Sequence, residues 1–223
     1  MDLETRINEA SKRFIDSRHD DYLTHHQGAD GVDPDRGWAF VRDQFLHLAA
    51  ARAKAWAATV PPLYHRASLD MLAPEQHPDE LRAYLDSAAR NLMLAGPVGT
   101  GKSFAAWAIA HEFIARDYRA AVWSTPRLMV DMRPEGAPGA FREVCTVPLL
   151  VLDDLGAARP TDWAVEQMFS IADERTNYQR FTIITTNQPY ENLVALWGQP
   201  TMDRFRDQAT HLVMGGTSRR GAA

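Results

Sequence analysis

Eight consecutive residues, Gly96-Pro97-Val98-Gly99-Thr100-Gly101-Lys102-Ser103, satisfy the pattern G-x-x-x-x-G-K-[ST] at every position. Each residue type in it has a use in phosphate chemistry. The glycines let the backbone curl and aim its N–H groups at phosphate oxygens. Lys102 has the reach for β- and γ-phosphates, and the Ser103 hydroxyl suits Mg²⁺. Further along, the apolar run Leu149-Leu150-Val151-Leu152 ends in Asp153-Asp154. A triphosphatase needs one carboxylate at a strand end for the metal and another to orient and activate water. Asp153 takes the first role and Asp154 the second; the plainer alternative is a strand cap before a turn at Gly156. A second apolar run ends in Thr185-Thr186-Asn187. There a neutral side chain such as Asn187 can position water and report which nucleotide is bound, unless it only forms the turn before Gln188-Pro189.

The elements around these residues must bring them together. Leu92-Met93-Leu94-Ala95 reads as a buried strand entering the loop, and residues 103–116 as a helix leaving it, whose N-terminus adds its positive dipole end. Strands over 91–95, 120–123, 149–152, 181–185 and 211–214 alternate with helices over 78–89 and 163–178, the latter with Val165, Met168, Phe169 and Ala172 inward. This predicts an α/β fold, a parallel five-stranded P-loop NTPase sheet. Upstream, Leu3, Ile7, Ala10 and Phe14 recur at helical spacing, and Phe45, Leu48, Arg52 and Trp56 line one face of a second helix over 38–58. Val60-Pro61-Pro62 ends that helix. The expected organisation is a small helical module over 1–58 and an ATPase domain over 59–223. Residues 19–37 read as a polar loop. They lack the residue order of a calcium loop, and His25 and His26 have no clear partner set for a metal.

The chain of 223 residues, 45% of them apolar, fits one ordinary domain with a small appendage. Its net charge of −5 excludes generic adhesion to nucleic acid, so any DNA contact must come from a local patch. Lys12, Lys54 and Lys102 are the only lysines, so positive charge is almost all Arg; this reflects either phosphate contact or a coding bias. The lone cysteine, Cys145, excludes an internal disulfide and a Cys-rich zinc site. Met1-Asp2-Leu3-Glu4-Thr5-Arg6 has no apolar signal core, and no apolar run approaches membrane-spanning length. A soluble, cytoplasmic protein is expected.

The order of Gly96–Ser103, Leu149–Gly156 and Ile183–Asn187 resembles the AAA+ ATPases, and more narrowly their DnaC/IstB branch of replicative-helicase loaders, bacterial or phage, and transposition ATPases. Residues 60–69, Val60 to Leu69, are similar to the segment that precedes the phosphate loop in that branch. Met202-Asp203-Arg204-Phe205 resembles its arginine-finger motif, and Gly216-Thr217-Ser218-Arg219-Arg220 its terminal sensor motif. The resemblance covers residues from about 58 to 220. It implies ATP and Mg²⁺ as cofactors, held by Gly96 through Ser103 together with Phe104, Tyr64 and Arg220, and with Ser103 and Asp153 at the metal. It implies Lys102, Asp154, Asn187 and Arg204 as catalytic residues, Arg204 acting on a neighbouring protomer. Arg219 occupies the usual aromatic position beside the second sensor, which leaves Arg219 and Arg220 both open for that role. With only nine residues after the fifth strand, no helical C-terminal lid is expected.

Where relatives use a helical insertion to contact single-stranded DNA, residues 125–145 are short and contain Pro134, Gly136, Pro138 and Gly139. Arg127, Arg133 and Arg142 there suit phosphates or merely a solvated loop. The implied function is loading of a replicative DNA helicase onto single-stranded DNA by an ATP-bound homo-oligomer that grips the helicase through residues 1–58. The alternatives are a transposition ATPase and a nucleotide-gated adaptor with little turnover, the latter because Asp154 is shorter than the glutamate common in AAA+ proteins.

Overall fold

Asp2 opens the first helix, α1 (Leu3–Asp16), by accepting the Thr5 N–H at 2.8 Å, the N-cap contact expected of aspartate. In the computed structural model, residues 1–26, 33–133 and 135–216 are described. They divide into two units: Met1–Arg66 with His111–Tyr118, and Ala67–Ala110 with Arg119 onward. In the first unit α1 buries Leu3, Ile7, Ser11 and Ile15, while Ala10 and Phe14 are half-buried. Residues 19–26, expected as loop, form α2 (His19–His26). Asp20 and Asp21 in its first turn and His25 and His26 in its last suit the helix dipole. It buries no residue, so no apolar stripe announces it. The Nδ1 atoms of His25 and His26 lie 2.7 and 2.8 Å from the Asp21 and Tyr22 carbonyl oxygens. Among the described residues no group of three or more His, Cys, Asp or Glu side chains is placed to hold a metal. Asp30 lies outside the described residues.

The next helix, α3 (Pro34–Ala57), starts earlier than its apolar spacing suggests. Pro34 at the first helical position and Asp33 as N-cap, accepting from the Asp35 N–H at 3.1 Å, set that start. Its buried side is Trp38, Ala49, Ala53 and Trp56 with Phe45 half-buried; Leu48 is exposed, one position off the stripe. Buried His111 accepts from Trp56 Nε1 at its Nδ1 at 2.9 Å, so its proton sits on Nε2, 3.1 Å from the Tyr64 carbonyl oxygen. Burial pulls the His111 pKa from 6.5 down to about 4. The unfolded chain therefore takes up this proton first as pH falls. The stability it contributes is complete above about pH 6.5 and is lost towards pH 4, on the order of 3 kcal/mol in all. Urea unfolding at stepped pH should show this loss, and His111→Gln should remove that part of the slope.

In the second unit two 3-10 turns, Leu69–Met71 and Pro74–Gln76, precede α4 (Pro78–Leu85), which is shorter than expected because the helix stops at Asp86. The elements that follow are β1 (Asn91–Ala95), α5 (Lys102–Ala115), β2 (Ala120–Ser124), α6 (Thr125–Asp131), α7 (Ala140–Thr146), β3 (Leu149–Asp153), α8 (Asp162–Asn177), β4 (Phe181–Thr186), α9 (Tyr190–Trp197), α10 (Gln199–Arg206) and β5 (Ala209–Val213). The five strands are parallel in the order β2-β3-β4-β1-β5. Leu149 to Leu152 of β3 are fully buried, as the middle of a parallel sheet requires. Sequence spacing gave no sign of α9 and α10, nor of the two short helices α6 and α7 in residues 125–145; Pro134 of that stretch lies outside the described residues. In α8, Met168 and Ala172 point inward as expected, but Phe169 is exposed. Met214 follows β5 rather than ending it, and its N–H donates to the Ala95 carbonyl at 2.7 Å. Among the described residues no helix is long and apolar enough to cross a membrane. The chain leaves β1 for β2 at the far edge, passing over β4 and β3. This reversal puts a crevice at the carboxyl ends of the strands, where open α/β sheets bind ligands.

Candidate nucleotide site

At that crevice the chain turns from β1 into the loop at Gly96, with φ +143°. A Cβ there would lie 2.3 Å from the Met214 carbonyl oxygen, so only glycine lets the residue after β5 approach this closely. Thr100, also buried, closes the loop on itself by donating Oγ1 to the Pro97 carbonyl at 2.9 Å, and Val98 is exposed. Lys102 Nζ donates to the carbonyls of Gly96 at 2.8 Å and Pro97 at 2.7 Å, folding its ammonium back over the loop's first residues. Phe104 follows, half-buried in the first turn of α5.

Three elements converge on Asp153 at the end of β3. Its Oδ1 accepts from Ser103 Oγ of α5 at 2.8 Å and from Thr185 Oγ1 of β4 at 2.6 Å. Thr185 Oγ1 also accepts the Asp154 N–H at 2.8 Å. A hydroxyl and a carboxylate oxygen at adjacent positions are the donor set that Mg²⁺ takes from a protein when substrate phosphates supply the rest. Ser103 and Asp153 fit that group. Asp154 sits at φ +60°, a left-handed conformation that aspartate tolerates better than most residues. Exposed, it lines a cavity of about 170 Å³ with Thr125, Gly156, Arg159, Trp163 and Trp197.

The other expected site residues are placed differently. Asn187 is exposed just beyond β4, while the two threonines before it carry the hydrogen bonds: Thr185 to Asp153 and Thr186 Oγ1 to the Leu155 carbonyl at 2.7 Å. Spacing alone pointed past Thr185. Arg204 on α10 donates Nε to Asp173 Oδ1 at 2.7 Å and Nη1 to the Pro200 carbonyl at 3.1 Å, and its guanidinium lies 4.4 Å from the Phe169 ring centroid. No group of the phosphate loop is among those partners. Tyr64 belongs to the first unit, where its carbonyl faces His111. Arg127 pairs with Asp131 at 2.6 Å, and Arg133 and Arg142 are exposed. Arg219 and Arg220 lie outside the described residues. Gln76, which the sequence did not single out, is buried against the loop and donates to the Thr100 carbonyl.

The chain is similar in sequence and in fold to known proteins. The chain is 34% identical over 103 residues to the ATP-binding protein ascribed to insertion sequence IS1162 of Pseudomonas fluorescens, covering 44% of each. It is 29% identical over 123 residues to the replicative helicase loader DnaI of Bacillus subtilis, covering 52% of this chain and 40% of DnaI. The replicative helicase loader DnaC of Escherichia coli is 26% identical over 127 residues, 54% and 52% of the two chains. The chain thus spans about half or less of the length of these curated relatives. A crystal structure of the DnaC helicase loader superposes with a TM-score of 0.62 at 25% identity, over 70% of this chain and all of that one. DnaA of Aquifex aeolicus with bound AMPPCP, at 17% identity and a TM-score of 0.59 over 72% and 53%, shares the AAA+ fold. The description "IstB-like ATP binding protein" matches residues 73–222, two thirds of the sequence, with the phosphate loop, Asp153 and Thr185 among them, and the chain belongs to that family.

Proposed function

We propose that this protein is an ATP-dependent loader of a replicative DNA helicase, hydrolysing ATP slowly and in an assembled state. The observation that carries the ATP site is the convergence of Ser103, Asp153 and Thr185 beside the loop that holds Lys102. Lys102 would turn from two neutral carbonyls to anionic phosphate oxygens, adding charge–charge attraction to hydrogen bonds its ammonium already makes. Ser103 and Asp153 would hold Mg²⁺, which would supply positive charge against the phosphates. Asp154 orients water and takes its proton, Asn187 positions that water, and Phe104 and Arg220 complete the nucleotide site. The likeness to DnaC over that entire chain supports the loader reading, with residues 1–58 docking the helicase and the ATPase domain touching single-stranded DNA. The 34% identity to the IS1162 protein supports a second reading, a transposition ATPase that recruits a transposase with the same core. Capture of purified replicative helicase against purified transposase by the full chain decides between them.

The ATP site is tested separately. Lys102→Ala should weaken binding of a fluorescent ATP analogue by roughly ten- to a hundred-fold, the worth of one or two hydrogen bonds to a charged group. Asp154→Asn should bind as before and lose roughly 10²–10⁴ in turnover, the usual contribution of a general base. Equal measurable turnover in Asp154→Asn and the unaltered chain would remove Asp154 from the chemistry, and turnover near zero in both would favour the adaptor reading.

A further inference from the structure

The 3-10 turn Pro74–Gln76, with His77 after it, touches both the phosphate loop and the end of β5. Gln76, 2% exposed, uses both ends of its amide. Its Oε1 accepts the Ala73 N–H at 2.9 Å, and its Nε2 donates to the Thr100 carbonyl at 2.6 Å. Next to it Gly101 has φ +91°, and a Cβ there would lie 2.1 Å from Gln76 Nε2. The amide therefore occupies the space a side chain at 101 would need. The residues on either side of Gln76 hold the strand beyond the loop: the Glu75 carbonyl accepts the Gly215 N–H at 2.9 Å, and His77 Nε2 lies 3.0 Å from the Val213 carbonyl.

We infer that Gln76 is a positioning residue for phosphate binding, fixing the Thr100–Gly101 peptide so that the Gly101 N–H faces the anion. This rests on the ATP reading of the loop. A peptide unit is planar and trans, so its C=O and N–H point in opposite directions. Clamping the Thr100 oxygen onto Gln76, outside the loop, turns the Gly101 N–H towards the loop's interior. A glycine at φ +91° has no side chain to prevent that peptide from rotating, and rotation would present a carbonyl oxygen to the phosphates instead of a donor. The Gln76 hydrogen bond opposes that rotation. The same turn fixes Val213 and Gly215, so the peptide's orientation is tied to the strand that leads to the terminal arginines.

Two variants separate this role from packing. Gln76→Met keeps the length and removes both hydrogen bonds; Gln76→Glu keeps the acceptor for Ala73 but donates to Thr100 only when protonated. Both are compared with the unaltered chain and with Lys102→Ala by titration with ATP and ADP, alongside apo melting curves. Gln76→Met should bind both nucleotides about ten-fold more weakly, the worth of one donor to an anion. Gln76→Glu should be weakened at about pH 8.5 and approach the unaltered chain towards about pH 5.5, as the carboxyl regains its proton. Wild-type affinity in both folded variants, or a loss in Gln76→Glu that is the same at every pH, overturns the inference. Should Gln76→Met fail to fold, the pH profile of Gln76→Glu decides alone. An unaltered chain that binds no ATP, or a Lys102→Ala variant that binds it normally, overturns the ATP reading and this inference with it. Loss in Lys102→Ala with normal Gln76 variants overturns only the inference.

Discussion

In a dilution series, the ATPase rate per protomer of Arg204→Ala is expected to stay flat where that of the unaltered chain rises with concentration. An arginine supplied from a neighbouring subunit stabilises the charge of phosphoryl transfer by roughly 10³–10⁵ in rate in related enzymes, which sets the ceiling for the effect here. The structure bears on how such an arginine is kept. Arg204 Nε and Nη2 both meet Asp173 Oδ1, at 2.7 and 2.6 Å, Nη1 meets the Pro200 carbonyl, and the plane rests near Phe169. The pair is about one-third exposed, so as a structural bond it contributes under about 1 kcal/mol. Removing it should barely move the melting temperature. If Arg204 acts on a neighbour, Arg204→Ala and Lys102→Ala should each be inactive alone and partly active when mixed, because each supplies the half-site the other lacks. Asp173→Asn should raise the assembled rate by loosening the arginine's own-chain hold. If melting falls by many degrees while the concentration dependence persists, Arg204 is a staple between α8 and α10 and not a finger.

The phosphate loop and β3 could be read from the sequence because their signals are local. The loop is a contiguous pattern, and a strand buried on both faces is a continuous apolar run, as Leu149–Leu152 is. What could not be read depends on residues far apart in the chain. Thr185 meets Asp153 across 32 positions and Gln76 meets Thr100 across 24, and neither pairing has a periodic signature. Reading the end of β4 for its most polar residue favoured Asn187 over the threonine that does the bonding. Short helices were missed for a related reason: α2 buries nothing and α9 buries only Leu193 and Trp197, too few positions for a periodic stripe. Phe169 reads as core because it is apolar at helical spacing, yet its cover is the Arg204 guanidinium. A pattern of hydrophobic positions cannot distinguish those two environments.

Arg175→Met is expected to destabilise the second unit by about 3–5 kcal/mol, the cost of breaking a buried charged network by removing one side of it. Arg175 is 1% exposed and has no carboxylate partner among the described residues. Its donors instead meet the carbonyls of Val144 at 2.6 Å, Val147 at 2.9 Å, Pro148 at 3.3 Å and Phe181, and the Thr182 hydroxyl at 3.0 Å. Burial, with Arg180 nearby, pulls its pKa down to about 9, still protonated at neutral pH. Those acceptors close the end of α7 and the starts of β3 and β4, where the chain turns into the sheet. Methionine fills similar volume but leaves them buried without donors, and each unsatisfied carbonyl costs on the order of 1–3 kcal/mol. Such a loss is a large share of the roughly 5–15 kcal/mol that holds a domain folded. Lysine should recover part of it, since an ammonium has three donors but not the planar fork that spans these carbonyls. Arg175 acts at the amino ends of parallel strands whose carboxyl ends form the nucleotide crevice, so nucleotide affinity of the folded fraction should not change. Denaturant unfolding followed by far-UV circular dichroism, with ATP titration below the transition, measures both quantities. A midpoint shift worth less than about 1 kcal/mol would mean that water reaches these carbonyls once the guanidinium is gone, and the network would then be dispensable.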